Sequence, residues 1–111
     1  MDIFFKNNRL KKACTQKKQV VKQWPLKRSK RIRRRLDDLR AAENLDVMRF
    51  LPGRCHELRK IRKLQLSLHL DGPYRLIFEP ADDPVPTKED GGLDWSEVKT
   101  IRILGVEDTH D

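Results

Sequence analysis

The spacing of apolar residues changes once along the chain, from a helical period to an alternating one. Before and after Pro25 the apolar residues recur at helical spacing, first at Leu10, Ala13, Cys14, Val21 and Trp24, then at Ile32, Leu36 and Leu39. From Gly53 onward the residues favour alternation, which is typical of strands, and residues 2–5 form a further candidate strand. Helices gathered ahead of strands predict an α+β fold, with two N-terminal helices packed on one face of a small antiparallel β-sheet. The other face is then free for function.

The length of the chain allows one domain. A chain of 111 residues has room for one modest core, so we expect residues 1–111 to form a single domain. Turn signals stand at Asp71-Gly72 and along the Pro- and Gly-rich segment 80–92. That segment is long for a connection and is interpreted as a mobile surface loop, after which the residues DWSE, 94–97, are suited to cap a short helix.

Positive charge is concentrated in the first half of the chain. Residues 1–63 hold 21 basic and 6 acidic side chains, a net charge of +15, whereas residues 64–111 hold 4 and 11, a net charge of −7. The block KRSKRIRRR, residues 27–35, is of a kind that is most often the solvated face of a helix. A field of this size would nevertheless attract a polyanion. Nucleic acid is therefore the first partner to consider, and an acidic protein is the alternative.

The sequence does not indicate a targeting segment, a disulfide or a metal site. The apolar run at the start is too short for a signal peptide or a membrane span, so we expect a cytoplasmic protein that does not engage a membrane. Cys14 and Cys55 form no CxxC pair and are interpreted as reduced, apolar residues. The three histidines lack ligand spacing, so neither a metal nor another cofactor is expected.

The Asp-Gly-Pro turn decides which side chains share a face of the predicted hairpin. A two-residue Asp-Gly turn would pair Leu68 with Arg75 and mix polar with apolar side chains. A three-residue loop pairs Leu68 with Leu76 and His69 with Arg75, which keeps one face wholly apolar. We therefore predict the second register, with Arg75 beside His69 on the polar face. Taken alone, the commonest role for Arg75 would be a salt bridge to Glu79 or another carboxylate.

Four segments resemble one protein family in their order and spacing. They are LPGRCHELRK at 51–60, DGPYRLIFEP at 71–80, DGGLDWSEV at 90–98 and IRILGVEDTH at 101–110. Together they resemble the HigB (host inhibition of growth) branch of the RelE-type toxins, over nearly the whole chain. This resemblance implies two N-terminal helices against an antiparallel sheet. It also implies a ribonuclease that cleaves messenger RNA, typically on the ribosome, and that an antitoxin holds inactive.

The resemblance implies roles for individual residues. Arg75 matches the arginine that grips the scissile phosphate, while Asp108 and His110 match the acidic and histidine members of the C-terminal motif, in which Thr109 replaces a tyrosine. Arg59 takes the place of a catalytic lysine. The implied catalytic residues are therefore Arg75, Asp108, His110 and Arg59. Further RNA contacts are expected from Arg62 and Lys63, which match the family, and from Arg31, Arg34 and Arg35 of the basic helix.

The expected chemistry needs no metal. RNA carries its own nucleophile, a 2′-hydroxyl next to the phosphate, so a cleaving enzyme needs alignment, proton transfer and charge stabilisation. The planar fork of Arg75 would bind two phosphate oxygens. His110 would transfer protons, with Asp108 orienting its ring. His56 and His69 are interpreted as structural.

The expected partners are messenger RNA, the ribosome and a HigA-like helix-turn-helix antitoxin, for which segment 80–92 is a candidate contact. Two alternatives remain open. One is a non-enzymatic RNA- or ribosome-binding module that works through its basic helix. The other is a toxin relic that still binds its antitoxin but no longer cuts RNA. The presence of Arg75, Asp108 and His110 favours the ribonuclease.

Overall fold

Five strands form one mixed sheet in the computed structural model, which describes residues 1–59 and 62–109. The strands are β1 (Asp2–Phe5), β2 (His56–Glu57), β3 (Leu66–His69), β4 (Tyr74–Pro80) and β5 (Thr100–Asp108), in the spatial order β1-β5-β4-β3-β2. The α+β class is as predicted, but the purely antiparallel sheet is wrong at one edge, because β1 pairs with β5 in parallel. Most of the chain separates these two strands, so no short turn forces them to be antiparallel.

Three α-helices, and not the predicted two, precede β2: α1 (Asn8–Thr15), α2 (Lys17–Gln23) and α3 (Leu26–Ala41). The first predicted helix breaks at Gln16, whose backbone is extended. The break allows both Cys14 and Val20 to be buried. On one continuous helix these two side chains, six positions apart, would point about 120° away from each other. Burial of both residues therefore favours two short helices over one longer helix.

The core lies between α3 and one face of the sheet. Ile32, Leu36 and Leu39 of α3 are fully or almost fully buried, and they form one apolar cluster with residues of the central strands. The strand residues in that cluster are Leu66, Leu68, Leu76, Phe78, Ile101 and Ile103. Two short 3₁₀ helices, Leu45–Phe50 and Trp95–Glu97, close one end of this core, and the second of them lies in the DWSE segment that was expected to cap a short helix. Among the described residues, no helix has the length and apolar character needed to cross a membrane.

The hairpin between β3 and β4 has the predicted register. Leu68 lies opposite Leu76, and His69 lies opposite Arg75. A bulge then interrupts the pairing of β4 with β5, where Ile77 faces Gly105 but the next residue, Phe78, faces Ile103. The face-sorting argument was therefore sufficient to fix the pairing of neighbouring strands.

Three arginines spaced about one turn apart on α3 bind three consecutive residues of the hairpin. Arg28 donates to both carboxylate oxygens of Asp71, at 2.9 and 3.2 Å, and its guanidinium lies 3.3 Å from the centre of the Tyr74 ring. Arg31 donates to the carbonyl of Leu70, and Arg35 donates to the carbonyl of His69, both at 2.9 Å. We call Arg28, Arg31 and Arg35 the arginine ladder. These contacts join α3 to the end of the hairpin.

Replacement of two adjacent arginines separates this structural role from surface charge. Arg35 is 6% exposed, whereas the side chain of Arg34 is 67% exposed. We expect Arg35→Ala to lower the free energy of unfolding by about 2–3 kcal/mol, because it removes a charged donor from a part-buried carbonyl together with the packing of the side chain. Arg34→Ala should leave stability almost unchanged. Urea unfolding of both variants measures the difference, and equal stabilities would contradict the assigned role of Arg35.

Candidate functional site

The sheet face that points away from α3 carries most of the polar side chains of the central strands. Alternation along β3, β4 and β5 separates these side chains from the apolar residues that contact α3. We call this surface the polar face, and it comprises His56, Ser67, His69, Arg75, Ile77, Glu79, Arg102 and Glu107. The sequence predicted that one face would be free of helices and would hold Arg75 next to His69, and the described residues agree.

The floor of the polar face is shielded from water. Ser67 and Ile77 lie side by side in the β3–β4 pairing, and both are 0% exposed although neither belongs to the core cluster under α3. Surrounding side chains must therefore exclude solvent above them. Charges that act over such a floor experience a lower effective dielectric than charges in open water, so their interactions with a bound anion are stronger.

Arg75 stands at the centre of this face with unused donors. It lies between His69 on one neighbouring strand and Glu107 on the other. The alternative of a salt bridge to Glu79 is not observed, because Glu79 pairs with Arg102 at 2.9 Å. Among the described residues, no carboxylate forms an ion pair with Arg75, and its Nη1 atom is buried without a hydrogen-bond partner. A guanidinium with such an unsatisfied donor is suited to bind an anion.

The neighbouring carboxylate is held by another arginine. Arg62 donates to the two carboxylate oxygens of Glu107 at 2.8 and 2.7 Å, and its Nε atom donates to Gln65. The hydrogen bonds from Arg62 hold the pKa of Glu107 below its usual range, so Glu107 is ionised at neutral pH. Arg62, an expected RNA contact, is therefore engaged within the protein. The same ion pair keeps Glu107 from neutralising Arg75.

The backbone of His69 is fixed on both sides. Its N–H donates to the carbonyl of Gly53 at 2.7 Å, and its own carbonyl accepts from Arg35. Burial lowers the pKa of the His69 imidazole below its ordinary value, and the positive charges of Arg75 and Arg54 lower it further. The ring is therefore neutral at pH 7.

His56 lies on the same face as His69, and the two ring centroids are 6.0 Å apart. The Nδ1 atom of His56 lies 2.7 Å from the carbonyl oxygen of Arg54. Because a carbonyl can only accept, Nδ1 carries the proton in this contact. The Nε2 atom faces the hydroxyl of Ser67 at 3.4 Å. The sequence interpretation treated both histidines as structural, since the pairing of His56 with Ser67 joins strands whose register no short turn reveals.

The C-terminal motif lies only partly within the described residues. Asp108 is exposed, pairs with Tyr74 at the end of β5, and by alternation lies on the opposite side of the strand from Glu107. The backbone N–H and the hydroxyl of Thr109 both donate to the carbonyl of Pro73 at 2.9 Å, which anchors the end of β5 to the hairpin turn. His110 lies outside the described residues. On the polar face it is Glu107, and not Asp108, that neighbours Arg75.

The other expected RNA contacts lie in two separate places. Arg59 and Lys63 are exposed and flank residues 60–61, which lie outside the described residues. Arg31 and Arg34 belong to α3, on the other side of the sheet from Arg75. Arg35 is a correction, because its guanidinium is buried against Gly53 and His69 and is not a surface contact. The structure therefore does not unite the basic helix and Arg75 in one surface.

Neither cysteine is suited to act as a nucleophile. Cys14 and Cys55 are both free. Burial raises the pKa of the Cys14 thiol to about 11 and that of Cys55 to about 12, so both remain protonated at neutral pH. Among residues 1–59 and 62–109, no three His, Cys, Asp or Glu side chains lie together in a group that could hold a metal ion. Proton transfer on the polar face therefore depends on its histidines.

Comparison of the chain with protein-family models, with curated protein sequences and with solved structures finds no match.

Proposed function

We propose that this chain is a HigB-like toxin of the RelE type, a cytoplasmic endoribonuclease that cleaves messenger RNA on the ribosome and is inhibited by a HigA-like antitoxin. The observation that carries the proposal is Arg75, whose guanidinium has no carboxylate partner among the described residues and has a buried, unbonded nitrogen. The segment resemblance supplies the family. The arrangement of helices on one face of a sheet with a lone arginine on the other supports a RelE-like fold.

The polar face has the components that cleavage at a phosphodiester requires. In the proposed reaction, Arg75 binds the scissile phosphate and stabilises the negative charge that develops on it. The shielded floor at Ser67 and Ile77 strengthens that interaction. A neutral imidazole next to Arg75 is available to accept a proton. The RNA supplies the attacking oxygen, so no nucleophilic side chain is needed.

A second candidate function is RNA or ribosome binding without cleavage. The exposed cations of α3, including Lys30, Arg33 and Arg34, favour it, because they form a basic surface that does not depend on Arg75. Under this alternative the polar face has no role in catalysis.

Mapping of messenger-RNA 5′ ends after induction distinguishes the two functions. We expect the unmodified chain to create new 5′ ends inside coding regions, and we expect Arg75→Ala to abolish them while the protein level stays the same. Growth arrest without new 5′ ends would contradict cleavage and would favour the binding module. New ends of equal abundance in both strains would remove Arg75 from the mechanism.

A further inference from the structure

We propose that His69 and His56 are the proton-transfer pair of this ribonuclease, an inference that rests on the proposed function. His69 takes the proton from the 2′-hydroxyl, and His56 gives a proton to the departing 5′-oxygen. Both residues lie outside the C-terminal motif to which the resemblance assigns proton transfer. The new site is therefore made by β2, β3 and β4, and His69 has no counterpart in the segments that carry the resemblance.

The spacing of the two rings suits one phosphodiester. Cleavage by the 2′-hydroxyl is an in-line displacement, so the proton acceptor and the proton donor must reach oxygens on opposite sides of the same phosphorus. Ring centroids 6.0 Å apart, with planes inclined by 64°, are too far apart for a direct hydrogen bond and close enough to hold one phosphate between them. Arg75 lies directly across from His69 in the β3–β4 pairing, so the phosphate that it binds would be next to both rings.

His69 is suited to accept the proton. Its backbone is held by Gly53 and Arg35 on both sides, so the ring has a fixed origin on the sheet. The groups that face it are Arg75 from β4, Arg54 from the loop before β2, His56 from β2 and Arg35 from α3. All of these disfavour the imidazolium when they are charged, so the resting ring is neutral. A bound phosphate would offset these charges and would make protonation of His69 easier during the reaction.

His56 is suited to donate the proton. Its Nδ1–H is occupied by the carbonyl of Arg54, so exchange with substrate takes place at Nε2. In its imidazolium form both ring nitrogens donate, one to the carbonyl of Arg54 and the other to the leaving oxygen. The side chain is exposed, which allows the ring to exchange protons with water between turnovers. The Arg54 carbonyl therefore has the positioning role that a carboxylate has beside many catalytic histidines.

The proposed step balances without a cofactor. The 2′-O–H bond breaks and its proton moves to His69, while the 2′-oxygen forms a bond to phosphorus. The bond from phosphorus to the 5′-oxygen breaks, and that oxygen takes a proton from His56. The products are a 2′,3′-cyclic phosphate and a 5′-hydroxyl end. The two rings finish with exchanged protonation states, and proton exchange with water restores them.

The test measures cleavage of a ribosome-bound message by His69→Asn and His56→Asn, with His110→Asn and Arg75→Ala for comparison. We expect each of the two polar-face variants to lower the cleavage rate by about 10²- to 10⁴-fold, with little change in RNA binding. His69→Asn should also remove the acidic limb of the pH profile, because the proton acceptor must be neutral and its pKa lies below the ordinary histidine value. His56→Asn should remove the alkaline limb, and a single 2′-deoxy substitution at the mapped site should prevent cleavage.

Two controls keep the outcomes separate. If His69→Asn unfolds, added imidazole cannot restore activity, whereas a folded His69→Ala chain that lacks only the proton acceptor should regain cleavage in imidazole buffer. Cleavage that needs Arg75 and survives in His69→Asn within about threefold of the unmodified rate would overturn the histidine pair and leave the proposed function intact. No cleavage by the unmodified chain would overturn the proposed function and the pair together.

Discussion

Arg75→Lys should lose almost as much cleavage as Arg75→Ala, about 10²- to 10³-fold each. Lysine keeps the charge but replaces a planar fork of donors by a single ammonium group. If Arg75 binds two phosphate oxygens at once, lysine cannot reproduce that geometry. If Arg75 only adds to the positive field, lysine should be nearly silent. Steady-state cleavage of a ribosome-bound message, measured alongside RNA affinity, distinguishes the two roles.

Arg102→Lys is the matched control for this experiment. Arg102 lies on the same face of the sheet, but its guanidinium is already paired with Glu79 and its side chain is 40% exposed. We expect its replacement by lysine to change cleavage by less than about threefold, because surface ion pairs contribute little. Full activity in Arg75→Lys would remove the phosphate grip from the mechanism. An equal loss in both lysine variants would indicate a general sensitivity of this face to substitution.

Arg62→Gln should lower cleavage by roughly 10- to 100-fold even if Arg62 never touches RNA. The change releases Glu107, which is ionised and lies opposite Arg75 across the β4–β5 pair. The free carboxylate would then pair with the Arg75 guanidinium and compete with the phosphate for its donors. The double variant Arg62→Gln with Glu107→Gln removes that competitor, so it should regain most of the activity.

The double variant distinguishes two roles for Arg62. A direct RNA contact at Arg62 is lost in the single and in the double variant alike, so activity would stay low in both. A positioning role through Glu107 predicts rescue. Glu107→Gln alone should remain close to the unmodified chain, because a neutral amide does not compete for the guanidinium. Failure of the rescue, with both proteins folded by circular dichroism, would return Arg62 to the set of RNA contacts.

The parts of the fold that local pattern determines were accessible from the sequence. The Asp-Gly-Pro turn and the alternating leucines were enough to set Leu68 opposite Leu76, because the wrong register would have exposed half of the core face. The parallel pairing of β1 with β5 was not accessible, since the two strands are far apart in the chain. The break at Gln16 carries no proline or glycine as a signal, and it follows from the burial of Cys14 and Val20 on the folded protein.

The candidate site was accessible in part for the same reason. Arg75 and His69 share a hairpin, so local register placed them together, whereas His56 reaches them only through the pairing of β2 with β3. The arginines of α3 were the least predictable residues. Periodicity locates them on a helix, but only the fold distinguishes Arg34, which faces solvent, from Arg35, which is buried and donates to the carbonyl of His69. Arginine has both a long apolar stem and several donors, so it serves either purpose.

The position of α3 behind the sheet has a consequence for the size of the RNA that this chain would select. The exposed cations of α3 and the guanidinium of Arg75 are separated by the thickness of the sheet, so a short oligonucleotide can contact one of them but not both. An RNA that engages both must be long enough to pass around an edge of the sheet, or must be folded so that two of its segments approach from opposite sides. Discrimination between short and long or structured RNA would then arise from the layering of the protein, without any contact that reads a base.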